Sequence, residues 1–168
     1  LLEVFNNQPV FFVLLALVLT YLSYSSLAIV LLSVSFLATG VIGLNESLYI
    51  VLGANLGSGM LPLISSWNSS DSEKNPIIAN LIVRSLCIVL FYPFVSIFSN
   101  FSIAFISSEL VPAIYHLSLN IFVAIIGIIF SKQFLSISFS LFSENKIQGH
   151  LNNHNILESD DFSMPAVS

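Results

Sequence analysis

Four apolar blocks, separated by short polar stretches, organise this chain. They run over residues 9–43, 47–66, 76–98 and 111–130. Each reads as membrane-grade helix, because a helix needs ~20 predominantly apolar residues to cross ~30 Å of hydrocarbon. The first block is too long for one straight crossing. Its 35 residues would reach ~50 Å as a single helix. A hairpin that turns back near Ser23 to Ser26 absorbs the excess. Such a turn lies at membrane depth, where its backbone groups must face protein or water. The polar stretch 67–75 and the stretch 99–110 read as loops, and the chain turns polar from about Ser143.

Two small polar clusters interrupt the apolar pattern. One is Thr20-Tyr21-Leu22-Ser23-Tyr24-Ser25-Ser26, and the other is Gly53-Ala54-Asn55-Leu56-Gly57-Ser58-Gly59. Lipid cannot satisfy hydroxyls, amides or loosened backbone, so such segments tend to line a cavity or a site. Two of them close in sequence predict discontinuous helices, the construction secondary transporters use around a substrate. A structural reading stands beside this one. Serines are common at close helix contacts, and Gly53 and Gly57 have the GxxxG spacing of helix packing. Asn55 inside a span needs partners on either reading.

Composition places the chain in the membrane class. It is 56% hydrophobic and 8% charged, with a mean hydropathy of +0.95. The net charge is −5, and no basic patch exists to suit a nucleic acid. Cys87 is the single cysteine and implies no disulfide. Lys74, Lys132 and Lys146 put the 67–75 loop and the C-terminal tail inside, and the lysine-free 99–110 stretch outside. Both ends of the first-block hairpin then lie outside.

The remaining polar residues carry weaker signals. Arg84 reads first as a residue snorkelling from the inner end of block three, with contact to an anion as the second reading. His116 and Asn120 share one face of block four and should bond to a neighbouring helix. His150 and His154 lack the company of a metal site, and the triplets at Asn45, Asn68 and Asn100 match a glycosylation pattern that is frequent by chance. No nucleophile–base set, P-loop or carboxylate pair argues for an enzyme. The two clusters contain no ionised side chain, so a multiply charged anion held there needs co-bound cations, which points to Na⁺.

The order of motifs resembles the sodium/phosphate cotransporter family. That family carries Gln-Ser-Ser-Ser at a re-entrant hairpin tip and then Gly-Ala-Asn-Ile-Gly-Thr-Thr, once in each of two inverted repeats. Here Tyr24-Ser25-Ser26-Leu27-Ala28 and Gly53-Ala54-Asn55-Leu56-Gly57-Ser58-Gly59 occupy those places. Asn7-Gln8-Pro9 resembles the opening of the hairpin, and His116-Leu117-Ser118-Leu119-Asn120 resembles the family's His-Thr-Leu-Phe-Asn.

The resemblance implies an all-α integral membrane protein of a bacterial inner membrane. It would have a re-entrant hairpin plus broken and full transmembrane helices, and would be the second half of an inverted-repeat transporter whose first repeat is missing upstream. A membrane domain over residues 1–142 would lead into a polar cytoplasmic tail over 143–168, the approach to a PhoU-like domain. The implied function is Na⁺-coupled transport of inorganic phosphate by alternating access, with Na⁺ as coupling ion and no other cofactor. Thr20, Tyr24, Ser25, Ser26, Asn55, Gly57 and Ser58 would hold substrate and ions. Tyr24, Leu27 and Gly59 depart from the family pattern. Tyr24 and Leu27 favour the alternative of a non-transporting membrane protein with a signalling or scaffold role.

Overall fold

A computed structural model describes residues 8–105 and 107–141, and among these every regular element is helical. Helix α1 (Pro9–Ser23) and helix α2 (Ser26–Ala38) form the expected hairpin in block one. Its turn is made by Tyr24, in the left-handed conformation with φ 53°, and by Ser25, which is extended and caps α2 by accepting from the Ala28 N–H at 3.2 Å. Pro9 starts α1 without an N–H to leave unsatisfied. The arms have 15 and 13 residues, so at ~1.5 Å per residue each reaches ~20 Å, short of the ~30 Å hydrocarbon layer. Between them and α3 lies an apolar cavity of about 60 Å³, lined by Phe12, Ala16 and Leu19 from one arm and by Ile29, Ser33 and Phe36 from the other.

Helix α3 (Leu44–Ser65) is the axis of the molecule. It touches α1, α2, α4, α5 and α6, and its middle is buried on every side from Ile50 to Asn55. It runs without interruption through the glycine cluster, which corrects the expected broken helix. The glycines serve packing instead. A Cβ on Gly53 would overlap the Val13 carbonyl and lie 2.9 Å from the Ala16 Cβ. One on Gly57 would lie 2.8 Å from the Thr20 Cβ and 3.0 Å from the Leu17 carbonyl. Bare backbone lets α1 lie against α3, the close approach that holds membrane helices together where lipid offers no hydrophobic drive. The weakness of glycine as a helix former is measured with the helix exposed; here neighbours clamp the helix all round. Pro62, rather than any glycine, loosens α3, because it cannot donate to the Ser58 carbonyl.

Helix α4 (Asp71–Phe91) starts five residues earlier than block three. The Ser70 side chain accepts from the N3 backbone while the Ser70 N–H donates to Glu73 Oε2 at 3.1 Å, a capping box that pulls the polar stretch into the helix. A 3₁₀ turn (Tyr92–Phe94) around Pro93 joins α4 to helix α5 (Val95–Ile103), so the start of the 99–110 stretch is helical too. Helix α6 (Val111–Ile129) follows block four closely, and residues 131–141 form helix α7. Tyr115 anchors α6, its ring 4.7 Å from Phe98 and 6.4 Å from Phe91 between centroids. A second core joins Ala79, Val83 and Cys87 of α4 to Val123 and Phe134. Among the described residues, three stretches are long and apolar enough to cross a membrane: Leu44–Ser65, Glu73–Ser102 and Val111–Ile129. The tail over 143–168, with His150 and His154, lies outside the described residues, as does Asn7.

Candidate functional site

Polar residues of two helices, α3 and α6, converge on one guanidinium of α4. Arg84 Nη1 donates to Ser58 Oγ at 3.2 Å, Asn55 Oδ1 at 3.4 Å and Asn120 Oδ1 at 3.5 Å. Gly59 makes the room: a Cβ there would lie 2.8 Å from Arg84 Cδ. All three acceptors are neutral, and among the described residues Arg84 has no carboxylate partner. Its Nε is buried without a hydrogen bond. A guanidinium has five N–H donors, and among the described residues this one engages only through Nη1.

Arg84 can only donate, and this orders the rest of the cluster. Asn55 and Asn120 must turn Oδ1 towards it, so their Nδ2 groups point elsewhere as donors. Asn55 Nδ2 donates to the Val51 carbonyl at 3.2 Å and lies 3.1 Å from His116 Nδ1. Asn120 Nδ2 donates to the His116 carbonyl at 2.9 Å and lies 3.2 Å from His116 Nε2. An amide donor thus faces each ring nitrogen, and a neutral imidazole accepts from only one of them. Ser58 spends its own proton on the Asn55 carbonyl at 2.8 Å, leaving its lone pairs to Arg84. The expected bond from the His116 and Asn120 face to a neighbouring helix is present, and its partner is Asn55.

The cluster lies at mid-span. Asn55 is the twelfth of 22 residues in α3, and Asn120 is the tenth of 19 in α6. Arg84 is the twelfth of 30 in the apolar run Glu73–Ser102. Asn55 is buried, whereas Ser58, Arg84, His116 and Asn120 are half-buried, so one side of the cluster is open. An ionised side chain at this depth is expensive to keep and marks a functional position.

The snorkelling role expected for Arg84 is thereby corrected. Counted from Pro76, Arg84 lies ~12 Å into its helix, within reach of the interface; counted from Asp71 it lies ~20 Å in. The signal that locates it is in the sequence, since Ser70-Asp71-Ser72-Glu73 has the capping-box spacing and moves the helix start.

The structure does not gather the seven predicted site residues into one cluster. Asn55 and Ser58 belong to the Arg84 cluster. Gly57 faces α1, where it packs on Thr20, and Thr20 is fully buried with Oγ1 unpartnered. Tyr24, Ser25 and Ser26 form the hairpin tip. Ser23 Oγ donates to the Ser25 carbonyl at 3.2 Å and accepts from the Ser25 N–H at 3.4 Å, while the Tyr24 ring is 71% exposed. Among the described residues, no hydrogen bond links the tip to the Arg84 cluster.

A mid-membrane cation backed by amides and a hydroxyl, behind a short helical hairpin, is an arrangement suited to a small oxyanion. A model of the family described as Na⁺/Pi-cotransporter matches residues 1–133, more than three quarters of the chain. The chain belongs to this family. It is an integral membrane protein, and helical spans with bacterial relatives place it in an inner membrane. Its family and relatives' names are those of transporters rather than enzymes.

One relative is "Putative inorganic phosphate export protein YjbB" of Salmonella typhimurium (strain LT2), 34% identical over 79 residues, which are 47% of this chain and 14% of that protein. Its counterpart in Escherichia coli (strain K12) is 33% identical over the same length and the same shares. "Uncharacterized protein YqeW" of Bacillus subtilis (strain 168) is 27% identical over 106 residues, 63% of this chain and 34% of that protein. The matched stretch thus spans about a seventh of the YjbB proteins and about a third of YqeW. No solved structure matches the chain.

Proposed function

We propose that this member of the Na⁺/Pi-cotransporter family forms part of a path for inorganic phosphate across the membrane, coupled to Na⁺ and working by alternating access. The single observation that carries the reading is Arg84: a guanidinium at mid-span, held through Nη1 by three neutral oxygens, with its Nε buried and unpartnered among the described residues. Phosphate is the ligand such a fork fits, through parallel charge-assisted hydrogen bonds.

In this reading the hairpin is re-entrant, and the chain is one of two inverted repeats that share the site. Ser25 and Ser26, with the free N–H groups at the start of α2, face the anion from the tip, where a helix N-terminus favours negative charge. Tyr24 and Thr20 shape that side. Asn55 and Ser58 supply the opposite side, and Gly57 sets the distance between the two by letting α1 close on α3. The relatives' printed name says export, so the direction of net flux is set by the gradients and not by the site alone.

The test is radiolabelled phosphate movement by the full-length protein in proteoliposomes, measured inwards and outwards, with and without a Na⁺ gradient. Saturable, Na⁺-dependent flux is expected. Arg84→Gln should lower phosphate flux about 100-fold at subsaturating phosphate, since it removes charged hydrogen bonds worth about 1.5–3 kcal/mol each. Well-folded protein that moves no phosphate in either direction would overturn the reading and favour a non-transporting role.

A further inference from the structure

We infer that Arg84 is a built-in competitor of the coupling Na⁺: the guanidinium and the sodium ion use the same three oxygens in turn. The inference rests on the proposed reading for the identity of the anion and of the coupling cation.

Asn55 Oδ1, Ser58 Oγ and Asn120 Oδ1 come from α3 and α6, and all three lie 3.2–3.5 Å from one nitrogen atom. Three neutral oxygens converging on a monovalent cation are the ligand set that Na⁺ seeks, and nothing in the cluster is an acid that would tie Arg84 there by charge. The bonds are long, so each holds weakly. The site is thus a cation site that the protein fills from within.

Displacement has a direction. If Na⁺ took the three oxygens with no anion present, the guanidinium would be left unsolvated beside a second positive charge at mid-span, at large cost. With phosphate present, Arg84 can leave the oxygens and spend its Nη and Nε donors on the anion, while Na⁺ occupies the place Nη1 vacates. Each ligand then pays for the other's entry. The Asn55 amide is set with Oδ1 turned inward by its Nδ2, which donates to the Val51 carbonyl of the same helix. The scheme makes Arg84 a coupling residue: it converts two separate binding events into one linked event.

Linkage gives a sharp consequence. Phosphate must tighten Na⁺ binding by the same factor as Na⁺ tightens phosphate binding, and coupling of this kind is typically about 5- to 150-fold. Without the guanidinium the competition disappears.

The experiment is equilibrium binding of ²²Na⁺ to the full-length protein in nanodiscs, with and without inorganic phosphate, for wild type, Arg84→Gln and Arg84→Lys. In wild type, phosphate should lower the Na⁺ dissociation constant at least 5-fold. Arg84→Gln should bind Na⁺ at least 5-fold more tightly than wild type in the absence of phosphate, and phosphate should no longer change that value. Arg84→Lys keeps a cation and should restore the dependence on phosphate in part. Unchanged or weakened Na⁺ binding in Arg84→Gln overturns the inference. Should Arg84→Gln not fold, Na⁺ binding in wild type that is blind to phosphate, in a protein whose phosphate flux is Na⁺-dependent, overturns it equally and leaves the transport reading standing. Tightened Na⁺ binding in an Arg84→Gln protein whose wild type moves no phosphate supports the shared oxygens and overturns phosphate as the anion.

Discussion

Gly53 and Gly127 both sit inside apolar helices, yet they answer to different neighbours. At Gly53 a methyl group would meet the Val13 carbonyl, which belongs to rigid backbone and cannot step aside; at Gly127 it would meet nothing within 4 Å. Gly53→Ala should therefore force α1 away from α3 and destabilise the protein by about 1–3 kcal/mol, the usual range for overpacking. Gly127→Ala should be neutral or stabilising by up to about 1 kcal/mol, through helix propensity alone. Thermal unfolding in detergent, followed by loss of the monodisperse peak, checks both; equal tolerance at the two positions would refute the packing role. From sequence alone the glycine cluster allowed packing or a broken-helix site, because a glycine says only that something approaches or bends. What approaches is decided across the helix. Asn55 and Ser58 were legible as site candidates, since a polar group in a span must be answered by another; Arg84 as their partner was not, because its depth depends on where α4 begins.

That dependence belongs to the scale of elements. Block lengths gave the hairpin, since 35 apolar residues cannot stand as one span. They misplaced the start of α4, because polarity marks solvent and not the end of a helix. The capping box is what draws Asp71 to Asn75 into the helix, so Ser70→Ala should cost about 1 kcal/mol and fray the first turn. Faster hydrogen exchange over residues 71–75, with no change around Arg84, would register it. The hairpin carries its own topological prediction. If it is re-entrant, single cysteines at Gln8 and Val41 react with a membrane-impermeant thiol reagent from one side of the membrane, and a cysteine at Asn68 reacts from the other. Labelling of Gln8→Cys and Val41→Cys from opposite sides would instead make α1 and α2 a continuous crossing and remove the turn from membrane depth.

At the scale of the whole molecule, α3 is packed on two faces. The Arg84 cluster lies on the side of α4 and α6, and the hairpin arm packs on the side of Gly53 and Gly57. In the proposed reading two such repeats share the site, so one chain alone supplies only part of it. The matched stretch is only 14–34% of its relatives' length, which leaves room for such a partner in the whole protein. The expectation is specific. The 168-residue chain reconstituted by itself should bind ²²Na⁺ weakly and move no phosphate in either direction under a Na⁺ gradient. In the full-length protein, the pair Ser25→Ala and Ser26→Ala should weaken phosphate binding while leaving the phosphate-free Na⁺ affinity unchanged, because among the described residues no hydrogen bond joins the tip to the three oxygens around Arg84. Loss of both affinities together in that double variant would mean that tip and cluster form one site within a single repeat, and gradient-driven phosphate flux by the isolated chain would mean that no second repeat is needed.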